Sequence, residues 1–323
     1  MTTLITGANG FIGSWVTRLL AARGEPLRVL LRPGASTAEL DGLPVQIVRG
    51  DLLDMRSLEP ALLGVEHIIH AAGAISFKRR HAERVRLANF AATASLMHAA
   101  RAYRVRKVVH VASIFSLGYA PGPDQLATED NAVKEPELTN IPYVLARVQA
   151  DQEAQDAHAL GLPVVFVYPG VCLGPADHNR SSSGPIDAWL RGGLPALIRG
   201  GGICLVDVRD AAAALVAALD RGEPGRRYLV SGHNVTLPGL FEMLEGLAGR
   251  PAPRFQLGER IGVPLARAAE LLRLFPAVDA GQARLMARLW WYDPARAVQE
   301  LGVRFRPLQD TLRDTVTWLQ AQR

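Results

Sequence analysis

Cysteine is almost missing from this chain of 323 residues: only Cys172 and Cys204 occur, far apart and with no metal-ligand spacing around them. No disulfide framework or metal site follows, and a reducing interior is the simplest setting. Long apolar runs are missing too. The stretch 211–219 is bracketed by Asp210 and Asp220 and falls well short of the ~20 residues a membrane span needs. The N-terminus enters an apolar strand directly, which leaves no room for a signal peptide. A soluble cytoplasmic protein without stable membrane insertion is expected. Basic residues exceed acidic ones by little, 36 against 31, for a net charge of +5. They cluster at Lys78-Arg79-Arg80 and again over 101–107. A nucleic-acid surface would need a basic stripe with interleaved aromatics; a solvated helix face plus a phosphate-accepting site explains these charges more simply. No internal repeat or low-complexity segment occurs.

What is present begins at the first residues. Leu4-Ile5-Thr6 is an apolar strand, Gly7, Gly10 and Gly13 interrupt it at regular spacing, and an apolar helix resumes through Trp15, Val16, Leu19 and Leu20. Glycines permit a tight turn and let backbone amides approach an anion, toward which the next helix points its partly positive N-terminus. The natural guest is the pyrophosphate of a dinucleotide. Strand before and helix after separate this loop from an ordinary glycine-rich turn.

The first half then alternates. Strands are predicted at 27–31, 45–48, 67–71, 108–111 and 164–167, with helices at 13–23, 55–63, 82–103 and 143–160. Strands buried on both faces and separated by helices specify an α/β fold, a Rossmann-type doubly wound parallel sheet. Beyond Pro169 the composition changes: residues 170–202 are rich in Gly, Pro and Ser, with Ser181-Ser182-Ser183-Gly184-Pro185 at their centre, which suits loops. Residues 206–219 look like a strand and helix returning to the main sheet, and 227–231 like a further strand. Residues 237–247 and 261–275 are expected to be helices, and Leu308, Leu312, Val316 and Leu319 recur on one helical face. The expected division is a dinucleotide-binding domain over 1–169, with 203–232 returning to it. A smaller C-terminal substrate lobe takes 170–202 and 233–323. Trp290-Trp291-Tyr292 is assigned to core or to a pocket wall.

Tyr143 and Arg147 fall one helical turn apart, on one face. A cation beside a phenol favours its ionised form, so Tyr143 is a candidate proton donor to a carbonyl or acceptor from an alcohol. Ser113 closes the fifth strand, where strand ends face the ligand crevice, and its hydroxyl could bond the same substrate oxygen. Arg32 ends the second strand, with no acidic residue until Glu39. A guanidinium there suits a ribose 2′-phosphate, whereas NAD sites place a carboxylate at that point. NADP(H) is therefore expected over NAD(H).

Several motifs now stand in order: Thr6-Gly7-Ala8-Asn9-Gly10-Phe11-Ile12-Gly13, Gly50-Asp51-Leu52, His70-Ala71-Ala72, and Asn89 followed by Thr93. Val111-Ala112-Ser113 leads to Gly118, Tyr168-Pro169-Gly170 leads to Gly174-Pro175, and Leu301-Gly302-Val303-Arg304-Phe305-Arg306-Pro307 closes the chain. With these the sequence resembles an extended short-chain dehydrogenase/reductase of the NAD-dependent epimerase/dehydratase superfamily. Within it, the likeness is to the dihydroflavonol-4-reductase-like group and bacterial relatives that include hopanoid-associated sugar epimerases. The resemblance implies that Gly7, Asn9, Gly10, Phe11, Ile12 and Gly13 cradle the cofactor. It implies that Asp51 and Leu52 contact adenine, that Ala71 and Ala72 line the cleft, and that Pro169 and its neighbours hold the nicotinamide. Asn89 would support the active-site helix, and Ser113 and Tyr143 would be catalytic. Dimerisation through the helices at 82–103 and 143–160 is implied only in this way. Asp51 has a second reading as a turn or cap carboxylate, and His70 is preferred as a satisfied core histidine. One departure stands out: where the family pattern has lysine, this chain has Arg147. Arginine keeps the charge but not the shape, and it does not relay protons.

Three functions follow. The first is NADP(H)-dependent hydride transfer to or from a ketone or secondary alcohol, with Arg147 orienting the ribose and stabilising phenolate. The pocket would be shaped by 170–202 and 261–292, and Trp189, Leu190, Leu194, Leu271, Leu272 and Phe275 there suggest a hydrophobic or amphipathic small-molecule substrate. The second is a nucleotide-sugar epimerase or dehydratase, with Arg180, Arg191 and Arg199 recognising a diphosphate. Dehydration would also want an acid/base pair beside Ser113, where Ile114-Phe115 offers none. The third is a cofactor-binding protein whose catalysis Arg147 impairs. The segment 261–273, with Arg260, Arg267 and Arg273 beside Leu265, Leu271 and Leu272, matches an amphipathic helix of the lobe or one lying on a membrane surface.

Overall fold

The structure, a computed structural model, describes residues 1–272, 274 and 279–322. The chain opens with β1 (Thr2–Thr6), α1 (Phe11–Ala22), β2 (Leu27–Leu31), β3 (Val45–Arg49), α2 (Met55–Leu62) and β4 (Val65–His70). Next come α3 (Ala82–Arg86), a π turn (Leu87–Ala91), α4 (Ala92–Ala102), β5 (Lys107–Val111), α5 (Pro136–Thr139), α6 (Pro142–Ala159) and β6 (Val164–Pro169). Then follow β7 (Val171–Leu173), α7 (Gly184–Leu190), β8 (Ala196–Ile198), β9 (Gly202–Asp207), α8 (Val208–Arg221), β10 (Arg227–Val230), β11 (His233–Thr236) and α9 (Leu237–Ala248). The last elements are β12 (Phe255–Leu257), α10 (Glu259–Leu271), α11 (Ala280–Leu285), β13 (Leu289–Trp290), α12 (Ala295–Leu301) and α13 (Leu308–Ala321).

Seven strands pair in the order β10-β6-β5-β4-β1-β2-β3, every pair parallel. The order reverses between β1 and β4, so a crevice opens where their C-terminal ends diverge. Strand periodicity explains the unbroken apolar runs of the sequence. Leu4, Ile68, Val108 and Val164 face one core, shared with α2, α4 and α6. Their successors Ile5, Ile69, Val109 and Val165 face the other, shared with α1 and α8. Each such side chain is fully enclosed, worth roughly 1.5–3 kcal/mol of burial. The predicted doubly wound parallel sheet is the fold.

Three expectations need correction. The helix expected over 82–103 is continuous to Ala102 but not α throughout: it carries a π turn at Leu87–Ala91, where the side chain of Asn89 bonds the Val85 carbonyl at 2.8 Å and the backbone of Ala74. The strand expected to return to the main sheet, β9, does not join it. Strand β10 already occupies the free edge of β6, so β9 pairs with β7, β11 and β13 in a second sheet. Only α8 and β10 return. The last helix expected before the terminal segment ends at Leu271, while Arg273 and Phe275 lie outside the described residues.

The C-terminal segment locks onto α8. The Arg306 backbone and guanidinium donate to Asp210 at 2.7 and 2.9 Å, and α13 buries Leu312, Val316 and Leu319 as its spacing requires. Trp290 and Tyr292 are core: both are fully enclosed, and the Tyr292 hydroxyl lies between the carbonyls of Ile114 and Gly118.

Candidate active site

The glycine loop is shaped by contact. Gly7 has φ +73°, and a Cβ there would stand 2.7 Å from the Ala71 and Ala72 backbone. A Cβ on Gly13 would stand 2.0 Å from the Gly7 carbonyl. The turn closes with Gly10 donating to the Gly7 carbonyl at 2.9 Å. Helix α1 starts at Gly10 with no side-chain cap and no acidic residue in its first turn. Its first N–H groups therefore aim unclaimed at the crevice, carrying the positive end of the helix dipole.

A cavity of about 990 Å³ opens there. Every residue expected to hold the cofactor borders it, from Gly7, Asn9, Gly10, Phe11, Ile12 and Gly13 to Arg32, Asp51, Leu52, Ala71, Ala72 and Pro169. Among the described residues its charged lining is Arg32, Arg84, Arg147 and Arg180 against Asp51 and Asp279, a balance that suits phosphate. The Arg32 guanidinium is exposed and has no side-chain partner among the described residues, while Asn9 ties the loop beyond β2 through the Ser36 carbonyl at 3.1 Å. Glu39 is engaged elsewhere, 2.6 Å from both Arg18 and His178. Asp51 does act as a turn carboxylate, accepting from the Leu53 N–H at 2.9 Å, while it also borders the cavity. These features fit a bound dinucleotide.

Tyr143, in the first turn of α6, borders the same cavity with its ring edge-on to Phe77 and Phe115. Its hydroxyl donates to Ser113 Oγ at 3.4 Å. Ser113 lies between two residues that border the cavity, Ala112 and Ile114, and its Oγ also accepts from the Phe115 N–H at 3.3 Å. Arg147 is 5% exposed. It donates to the Val111 carbonyl at the end of β5 and to Asn89 Oδ1 at 3.4 Å, while Nε is buried without a partner. No carboxylate pairs with it among the described residues; Asp151, one turn on, engages His110 and Ser116. A buried cation left in this state attracts negative charge at the cavity wall. Asn89 ties the arrangement together, since the same Oδ1 also accepts from Ala74 N–H. His70 is a satisfied core histidine, as preferred, held between Thr6 and Thr93.

Sequence reasoning placed the loops of 170–202 at the pocket, but it missed what orders the roof and which residues form the apolar wall. The roof is the segment 179–182, organised by the fully buried Asp177, whose carboxylate accepts from the backbone N–H groups of Ser181, Ser182 and Ser183. An Asp four residues before a serine run was the available signal. The wall is Ile75, Phe77, Leu87, Ile114, Phe115 and Pro185.

The sequence model of the NAD dependent epimerase/dehydratase family matches residues 3–231. The chain belongs to this family. It is an NAD(P)-dependent oxidoreductase of the extended short-chain dehydrogenase/reductase type, and the family's cofactor is a nicotinamide dinucleotide. It is similar to sterol demethylase protein B of Methylococcus capsulatus, 32% identical across 99% of this chain and 98% of that protein. It is similar to cinnamoyl-CoA reductase 1 of Oryza sativa, 28% identical across 98% and 89%. Among solved structures, a nucleoside-diphosphate-sugar epimerase of Pseudomonas aeruginosa superposes with a TM-score of 0.82, at 26% identity across 100% of this chain and 98% of that one.

Most members of two groups of residues expected around the oxidoreductase's pocket lie elsewhere. Trp189 is buried in the lobe, its ring against Phe241 and its indole N–H on the Pro251 carbonyl at 2.9 Å. Leu190 is buried, Leu194 partly buried, and Leu271 and Leu272 face solvent; none borders the cavity. Of the three arginines expected to bind a diphosphate, only Arg180 borders it, stacked 4.7 Å from the Trp318 ring. Arg191 is drawn to Asp187 at 3.1 Å, and Arg199 lies exposed. Among the described residues no helix is long and apolar enough to cross a membrane.

Proposed function

We propose that this oxidoreductase transfers hydride between NADP(H) and a ketone or secondary alcohol on a hydrophobic or amphipathic substrate. The observation that carries this reading is one cavity bordered at once by the glycine loop, by Tyr143 and Arg147, and by an aromatic wall. Unpartnered Arg32, with Glu39 drawn away to Arg18 and His178, supports choice of the 2′-phosphorylated coenzyme.

When bound, the reduced coenzyme supplies the hydride to the carbonyl carbon. Tyr143 gives its phenolic proton to the carbonyl oxygen as that bond forms, and Ser113 holds the phenol by the hydrogen bond at 3.4 Å. Arg147 balances the charge left on the phenol with a guanidinium fixed by Val111 and Asn89. Solvent returns the proton. The glycine loop and the N-terminus of α1 would hold the pyrophosphate, Asp51 and Leu52 the adenine, Ala71 and Ala72 would line the cleft, and Pro169 would hold the nicotinamide.

Ile75, Phe77, Leu87 and Phe115 give the substrate an apolar bed. Asp279 gives it one polar anchor: burial raises its carboxyl pKa, although it caps α11 through the Gln282 N–H at 2.7 Å. The relatives named for a sterol and for a cinnamoyl thioester point toward such substrates. A nucleotide-sugar substrate is favoured less, because two of its three expected arginines are absent from the cavity. Two buried free thiols agree with a reducing compartment, and we place the enzyme in the cytoplasm.

The test is NADPH oxidation with a panel of apolar ketones beside dTDP- and UDP-sugars. Turnover of apolar ketones alone is expected. Turnover of the sugar nucleotides alone would overturn the substrate assignment.

A further inference from the structure

Helix α10 is apolar on two opposite sides. Gly262, Val263 and Ala266 face inward. The side turned furthest from them carries Ile261, Leu265, Ala268 and Leu272, spaced at i, i+4, i+7 and i+11, within roughly 60° of arc at ~100° per residue. Ile261 is 59% exposed, Leu265 53% and Leu272 68%. A surface helix ordinarily turns a polar face to water, and a contiguous exposed stripe of this kind marks an interaction surface. Leu271, 77% exposed, adds to one flank, and Phe255, 70% exposed, lies on the adjoining strand β12.

The charges beside the stripe have one sign. Arg260 and Arg267 sit on the same flank, and Arg254 precedes Phe255; all three are exposed with no side-chain partner among the described residues. The acids of this helix are already committed. Glu259 pairs with Arg288 at 2.7 Å, and Glu270 accepts from the Ala280 N–H at 3.4 Å.

We propose that this face of α10 docks on an anionic phospholipid surface, its leucines among the acyl chains and its arginines at the headgroups. Free arginines along one flank of an apolar stripe complement anionic lipid; a second copy of this chain would bring arginine against arginine. Helix α10 packs against α11, whose Gln282 borders the cavity. Docking therefore brings the α11 edge of the cavity within one helix of the membrane, where lipophilic molecules partition. The docking itself needs neither coenzyme nor turnover, so it stands or falls apart from the catalytic reading.

The test is co-sedimentation of the full chain with phosphatidylcholine vesicles, with and without phosphatidylglycerol. Binding to the anionic vesicles is expected, weakening as salt rises. Leu265→Gln with Leu272→Gln should lower it at least about tenfold, and Arg260→Gln with Arg267→Gln by on the order of tenfold. Both pairs are exposed, so melting temperature should not change. No binding to anionic vesicles, or equal binding by the leucine pair, overturns the proposal. So does wild-type self-association in gel filtration that the leucine pair abolishes, because the occupant is then a second copy.

Discussion

The hydroxyl of Tyr143, a residue that borders the cavity, lies 3.4 Å from Ser113 Oγ. In the proposed mechanism Tyr143 is the group of the pair that gives its proton to the substrate oxygen. Tyr143→Phe removes the proton and leaves the ring between Phe77 and Phe115. Turnover should fall by about 10²- to 10⁴-fold with coenzyme affinity unchanged, as steady-state kinetics and fluorescence titration would report. Undiminished turnover removes the phenol from the reaction.

Arg147 separates a competent enzyme from an impaired one. Arg147→Met takes the donor from Val111 and Asn89 and the cation from the wall, and should lower kcat by about 10²-fold or more. Arg147→Lys keeps the charge and should hold kcat within about tenfold. If lysine instead raised kcat by orders of magnitude from near zero, the arginine would be a block to catalysis.

Coenzyme choice tests Arg32. Losing a charge-assisted bond to phosphate costs roughly 1.5–3 kcal/mol, so Arg32→Ala should weaken NADP(H) binding about 10- to 100-fold and leave NAD(H) nearly unchanged. Equal wild-type affinity for both coenzymes, measured by calorimetric titration, contradicts the NADP(H) assignment.

Acid sensitivity should originate beneath the site. Burial first, then the His110 ring and the Arg147 charge, hold the His70 pKa well below the ordinary imidazole value. Burial also lowers that of His110, against the pull of Asp151. Both rings stay neutral when folded and take protons near pH ~6.5 when unfolded. The unfolded state binds more protons below that pH, so stability is fully present above it and declines as pH drops toward the folded values. Melting temperature should decline from about pH 6.5 downward, and His70→Gln should flatten the decline. The same slope in wild type and variant would place the acid-sensitive group elsewhere.

The doubly wound half was legible because its signals are local. Strand runs, the three glycines and the Tyr143–Arg147 spacing each occupy a few consecutive residues, and all fall around one cavity. The second sheet was not legible: β9 reads like any buried strand, and its exclusion from the main sheet depends on β10, some twenty residues later, filling the edge of β6. The apolar wall was misassigned for a related reason. Trp189 and Leu190 are as apolar as Phe77 and Phe115, and only packing decides which pair faces a ligand and which fills a core. The π turn at Asn89 was hidden because a single i→i+5 turn inside a helix depends on what its side chains bond across space, here Val85 and Ala74, which no local pattern announces.

The most direct measurement is a crystal structure of the enzyme with NADP(H) and a ketone analogue. The pyrophosphate should lie against Gly10 and the first turn of α1, with the nicotinamide ring facing the Tyr143 hydroxyl. A nicotinamide ring seated elsewhere, or a Tyr143 hydroxyl turned away from it, would contradict hydride transfer at this site.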